Sequence, residues 1–163
     1  MKITLVILGI DPGTTRIGFG IITNNANKLT CVHYGLIPIS KSRKDSVIRG
    51  VFREIERVIE TYKPDVAAVE KLFFFKNKKT IISVSEMRGV IMAALALNNI
   101  PVKEFTPLQV KQAVSSYGRA SKDQVEHMVR LILGIKEKIK PDDVADGIAI
   151  AICCANNIVY QAE

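Results

Sequence analysis

Residues 3–10 read Ile-Thr-Leu-Val-Ile-Leu-Gly-Ile, and the residue that follows is Asp11. An uncharged, β-branched run of this length predicts a buried strand. A carboxylate beside a core costs on the order of several kcal/mol unless a cation or hydrogen bonds compensate it. Pro12-Gly13 turns the chain immediately, so Asp11 is expected at the tip of a strand. Either its carboxylate caps the turn through nearby backbone, or it faces something positive.

The pattern downstream sets the frame around that tip. Residues 16–23 and 28–39 are β-rich and flank the turn cluster Asn24-Asn25-Ala26-Asn27, which predicts an antiparallel meander of three strands. Beyond a basic loop at 41–44 the period becomes helical. Val47, Ile48, Val51, Phe52, Ile55, Val58, Ile59 and Tyr62 share one face, and Pro64 ends the element. Residues 65–69 are a short apolar strand that ends in Glu70. Residues 80–97 predict a helix apolar almost all round, either buried or shared with a partner subunit. A fifth strand is expected at 101–105. Thr106-Pro107-Leu108-Gln109 and Ser121-Lys122-Asp123-Gln124 each carry the sequence of a capped helix start. After a basic loop at 136–140, Pro141 opens a last helix through Ile158. The order β-β-β-α-β-α-β-α-α-α implies an α/β fold, a mixed five-stranded sheet with helices on both faces, in one domain over residues 1–163.

Composition narrows the class. Lys and Arg outnumber Asp and Glu by 23 to 16, a formal charge of +7, which suits a polyanionic partner, nucleic acid before a membrane surface. Cys31, Cys153 and Cys154 form no CxxC pair, so a reducing, cytoplasmic setting is expected. His33 and His127 are too few and too scattered for a zinc site. No apolar stretch is expected to reach the roughly 18 residues of a membrane span. Met1-Lys2 with its apolar run resembles a short signal peptide but lacks a small-residue cleavage site, so the run is read as a strand.

The remaining puzzle is acidic. Glu70 repeats the position of Asp11, at the end of a short buried strand. Asp143 and Asp146 lie three apart on one helix face, otherwise lined by Ala145, Ile148, Ala149 and Ile152. Asp142 could pair with Asp146 instead, and Asp142 or Asp143 could serve only as an N-cap. Two acids at strand tips and two on an apolar helix repel one another if they meet, unless cations intervene. Oxygen ligands without His or Cys suit a hard cation, Mg²⁺ or Mn²⁺. Paired ions of that kind cleave phosphodiesters. An acidic centre on a basic chain therefore fits a nuclease.

The stretches GIDPGTTRIGFGII, AAVEKLFFFKN, PLQVKQAV, SKDQVEHMV and DDVADGIAIAI, in this order, resemble the RuvC-type Holliday junction resolvases of bacteria. The resemblance runs over residues 6–158. It implies a ribonuclease H-like fold and a homodimer that cuts four-way DNA junctions symmetrically, leaving a 3′-hydroxyl and a 5′-phosphate. It also implies four catalytic, metal-binding acids at Asp11, Glu70, Asp143 and Asp146, with two Mg²⁺ ions per site replaceable by Mn²⁺, and leaves Asp142 to capping or solvent. A junction-stacking aromatic falls on Phe73, beside Lys76, and basic residues near the scissile phosphate fall on Lys111 and Lys122. The branch-migration proteins RuvA and RuvB are implied partners. Some relatives continue with a basic tail where this sequence reads Gln161-Ala162-Glu163, a departure from the family's pattern.

Physics supports parts of this. An exposed ring among Phe73, Phe74 and Phe75 would stack on a strained junction base, although at least one ring is expected in the core. Lys122, at the first turn of a helix, is placed poorly for the dipole and well for a phosphate. Gly89 and Ala93 would let the 80–97 helix approach a symmetry mate. Three rival readings remain at this point. DPGTT also resembles the phosphate-binding turn of actin-like and sugar-kinase ATPases, a related nuclease could act on RNA hybrids, and the chain could bind DNA without cutting it.

Overall fold

The computed structural model describes residues 4–72 and 78–158, with the side chains of residues 78 and 79 also left aside. Phe73 and Lys76 therefore lie outside the described residues. The meander is present as β1 (Thr4–Asp11), β2 (Arg16–Asn25) and β3 (Lys28–Pro38). It is followed by α1 (Lys44–Tyr62), β4 (Val66–Glu70), α2 (Lys78–Leu97), β5 (Val102–Phe105), α3 (Pro107–Ser115), α4 (Lys122–Leu133) and α5 (Asp142–Asn156). The element order is the expected one, with the last helix ending two residues early.

The sheet order is β3-β2-β1-β4-β5. β1 and β3 run antiparallel to β2, whereas β4 runs parallel to both β1 and β5. Helices cover both faces. On one, α1 contributes Val51, Ile55, Val58 and Ile59 and α2 contributes Met87, Ile91, Ala94 and Leu95, packed on Leu8, Ile10, Ile21 and Val69. On the other, α3, α4 and α5 pack Val110, Val114, Val125, Val129, Ile148 and Ile152 against Ile7, Ile22 and Ala68. Alternate residues of β1 thus feed two cores, which is why the run from Val6 to Ile10 shows no polar face.

Both predicted helix starts are reciprocal capping boxes. Gln109 N–H donates to Thr106 Oγ1 at 3.1 Å while Thr106 N–H donates to Gln109 Oε1 at 2.8 Å. Ser121 and Gln124 repeat this at 3.2 and 2.8 Å. α5 has no side-chain cap; its N-cap residue is Pro141, so neither Asp142 nor Asp143 caps it.

Helix α2 corrects one expectation. By length and composition alone its window Thr80–Leu97 is apolar enough to cross a membrane. Glu86 and Arg88 are the only charged residues in the window, too few to bring its mean hydropathy down. The physical reason is visible in its two sides. One stripe is core, while Ile82 and Leu97 are 62% and 72% exposed, and Gly89 and Ala93 lie outward with them.

Candidate active site

Register explains why two acids meet. Ile10 of β1 pairs with Val69 of the parallel β4, so the next residues, Asp11 and Glu70, emerge side by side at the C-terminal edge of the sheet. Adjacent strands stand about 4.8 Å apart, which fixes the scale of their separation.

The third and fourth acids arrive on α5, and glycines decide how close. A Cβ on Gly18 would lie 1.7 Å from the Asp143 carbonyl oxygen, and one on Gly147 would lie 2.8 Å from Phe19 Cα. A Cβ on Gly9 would meet the Gly147 carbonyl at 2.2 Å. Helix α5 therefore lies backbone on backbone across β1 and β2. That contact brings Asp143 and Asp146 to the Asp11 end of the sheet. The residues between them, Val144 and Ala145, are buried together with the run 147–155.

Asp11, Glu70 and Asp146 line one cleft of about 290 Å³, with Lys111 of α3 and Lys122 of α4 on its wall and Pro107, Val110 and Val125 beneath. Lys122 Nζ stands 3.6 Å from Asp146 Oδ2. Asp143 is placed differently. Its Oδ2 accepts from Arg16 Nε at 2.5 Å, and it flanks the cleft rather than lining it. Asp142 is exposed.

The electrostatics are those of crowded, poorly solvated acids. Burial, then the charges of Glu70, Asp146 and Asp143, push Asp11 well above the usual carboxylate range, against the pull of Lys122. Burial, then Asp146, raises Glu70 to about 7, with Lys111 and Lys122 opposing. Asp146 is raised by burial, helped by Asp143 and Asp142 and opposed by Lys122. Partial burial works against the charge on Lys122, but Asp146, Asp142, Asp11 and Asp143 outweigh it and raise its pKa. Carboxylates raised by burial and by one another gain from a cation placed among them.

The donor set is oxygen-only and fits a hard divalent ion. As placed, no three His, Cys, Asp or Glu among the described residues form a closed metal cage. Of the four acids expected to gather, three line the cleft, and Asp143 flanks it, paired with Arg16. Sequence reading missed Arg16 and the glycines. Gly18 and Gly20, two apart on one strand face opposite a helix with Gly147, are the signal that was available for the latter.

Comparison with known proteins identifies the family. The family model described as "Crossover junction endodeoxyribonuclease RuvC" matches residues 7–154. The chain is 46% identical over 157 residues to the crossover junction endodeoxyribonuclease RuvC of Heliobacterium modesticaldum, covering 96% of this chain and 97% of that one. It is also 46% identical over 153 residues to the Petrotoga mobilis protein of the same name, covering 93% and 94%. Among solved structures it is similar to T. thermophilus RuvC in complex with Holliday junction substrate, with a TM-score of 0.85, 32% identity, and coverage of 91% and 92%. The fold is therefore ribonuclease H-like, as expected, and the chain belongs to the RuvC family of crossover junction endodeoxyribonucleases.

Proposed function

We propose that Asp11, Glu70, Asp143 and Asp146 carry the metal-dependent hydrolysis by which this endonuclease resolves four-way DNA junctions in recombination and repair. The observation that carries the reading is the cleft itself. Three acids whose register and helix packing force them together share it with two lysines on a basic chain. The junction as substrate is supported by the similar T. thermophilus protein, solved with a Holliday junction.

Bound divalent ions, Mg²⁺ with Mn²⁺ as a substitute and two per site, would lower the pKa of the attacking water and neutralise the leaving oxygen. The chain's own groups do the rest. Asp11 and Glu70 present oxygens from adjacent strand ends, and Asp146 faces them from α5. Lys111 and Lys122 bind the phosphate at the wall of the cleft, Lys122 being drawn away from Asp146 as a phosphate replaces the carboxylate as its partner. Phe73 and Lys76 are assigned to the junction centre on the family motif. The reading includes a homodimer, with the outward stripe of Ile82, Gly89, Ala93 and Leu97 on α2 as its interface, so that two sites cut two strands. It also includes RuvA and RuvB as partners and a cytoplasmic setting.

The test is cleavage of a synthetic four-way junction and a matched linear duplex, with Mg²⁺ and with EDTA, by the wild type and Asp11→Asn. Paired, symmetric, Mg²⁺-dependent nicks confined to the junction and lost in the variant are expected. Tight junction binding without cutting, equal in both proteins, would overturn the assignment.

A further inference from the structure

Among the four acids Asp143 is the one whose carboxylate is engaged by a guanidinium of the described residues. Arg16 opens β2, where it pairs with Pro38 of β3, and its Nε–H donates to Asp143 Oδ2 at 2.5 Å. The two backbones have little freedom to separate, because Gly18, two residues along the same strand, lies against the Asp143 carbonyl. Their side chains are less restrained. The guanidinium side is 48% exposed and the carboxylate 24%, and an ion pair this open is weak and exchangeable. A guanidinium on Oδ2 takes up acceptor capacity and offsets charge that a cation would otherwise use, leaving Oδ1 as the other ligating oxygen.

We propose that Arg16 is a positioning residue that competes with divalent cations for Asp143 and, once displaced, turns to a phosphate of the bound DNA. This rests on the reading of Asp143 as a metal ligand. Two features favour the second half. A guanidinium's planar fork suits phosphate oxygens as well as carboxylate oxygens, so the exchange is like for like. Thr14, Thr15 and Arg16 are all exposed, so the guanidinium is open to solvent beside the carboxylate it pairs with. The arrangement would make cation binding and DNA binding mutually supportive. The cation frees Arg16 for DNA, and a phosphate that holds Arg16 frees Asp143 for the cation.

The experiment titrates Mn²⁺ into the full chain without DNA, read by the electron paramagnetic resonance of free Mn²⁺, for wild type, Arg16→Gln, Arg16→Lys and Asp143→Asn. In parallel, junction binding is measured against salt concentration in EDTA and with Ca²⁺ as a probe cation. Arg16→Gln is expected to tighten the weaker Mn²⁺ event by about 3- to 10-fold, because the competitor is gone. It should also lower the Ca²⁺-state salt slope by about one phosphate contact, and Arg16→Lys should restore most of that slope. Unchanged or weaker Mn²⁺ binding in Arg16→Gln would overturn the competition, and an unchanged salt slope would overturn the transfer to DNA. Asp143→Asn separates the two ideas. It should weaken or abolish one Mn²⁺ event, and if it binds Mn²⁺ as the wild type does, the assignment of Asp143 as a ligand fails instead.

Discussion

Glu126 and Glu70 are both carboxylates drawn out of water, one within helix α4 and the other at the end of β4. Glu126 is 5% exposed, and its Oε1 accepts from the Ile139 N–H at 2.8 Å and from Arg130 Nε at 2.9 Å. Burial alone would raise its pKa, yet that N–H and guanidinium hold it below the usual range. Glu70 has Asp146 and Asp11 for neighbours and is raised to about 7. One charge is satisfied by the fold and ties α4 to the loop before α5. The other is left unsatisfied by the fold, and chains keep such local conflicts chiefly where function needs them.

The sharpest way to separate the two is to neutralise each. Asp11→Asn or Glu70→Gln should lower junction cleavage by at least about a thousandfold, the equivalent of roughly 4 kcal/mol of transition-state stabilisation. The same changes should leave the melting temperature unchanged or higher, because they relieve repulsion. Glu126→Ala should do the reverse. It strands the Ile139 N–H and Arg130, so a loss of about 2–4 kcal/mol in urea unfolding is expected. A destabilised Asp11→Asn with an unaffected Glu126→Ala would collapse the distinction.

Titration should split the sites next. Glu70 moves from an ordinary 4.5 to about 7 on folding, so between those values the native chain binds more protons than the unfolded one. The Glu70 contribution to unfolding free energy should therefore fall as pH rises from about 4.5 to about 7, by up to about 3 kcal/mol, and Glu70→Gln should reduce the slope to the part that Asp11 and Asp146 supply. Glu126 has the opposite sign. Its lowered pKa stabilises the fold above the ordinary glutamate range, and that contribution is lost as acid protonates it. Mg²⁺ should raise the melting temperature more at pH 8 than at pH 5, since only ionised acids hold it.

The smallest effect concerns the wall of the cleft. Lys111→Ala should weaken junction binding evenly across sequences and reduce the salt slope by about one, with no change in stability beyond about 0.5 kcal/mol. A change of sequence preference instead would mean that Lys111 reads bases rather than phosphate.

Much of this was written in local pattern. The shift from alternating to helical period at residue 46, the two capping boxes and the acids at strand ends are short-range signals, and each appears where the sequence put it. What escaped is long-range. The Arg16–Asp143 pair joins residues 127 apart, and no spacing rule encodes it. The glycines of β1 and β2 look like turn or flexibility residues until a helix is laid over them. Helix α2 misled for a related reason, because hydropathy does not say which side of an apolar helix meets the sheet and which meets solvent.

The glycine contact between α5 and the sheet has a consequence for how such a protein can drift. Where a helix rests on side chains, every change of core volume shifts it, and whatever it carries moves too. Here the helix bears on main chain at Gly9, Gly18 and Gly147, so the spacing between the Asp11 tip and the Asp146 turn is set at those points by backbone against backbone. Substitutions elsewhere in either core can accumulate while that gauge stays constant. The hydrophobic interior can change volume without reaching the spacing of these acids directly, and three residues without side chains keep the two apart.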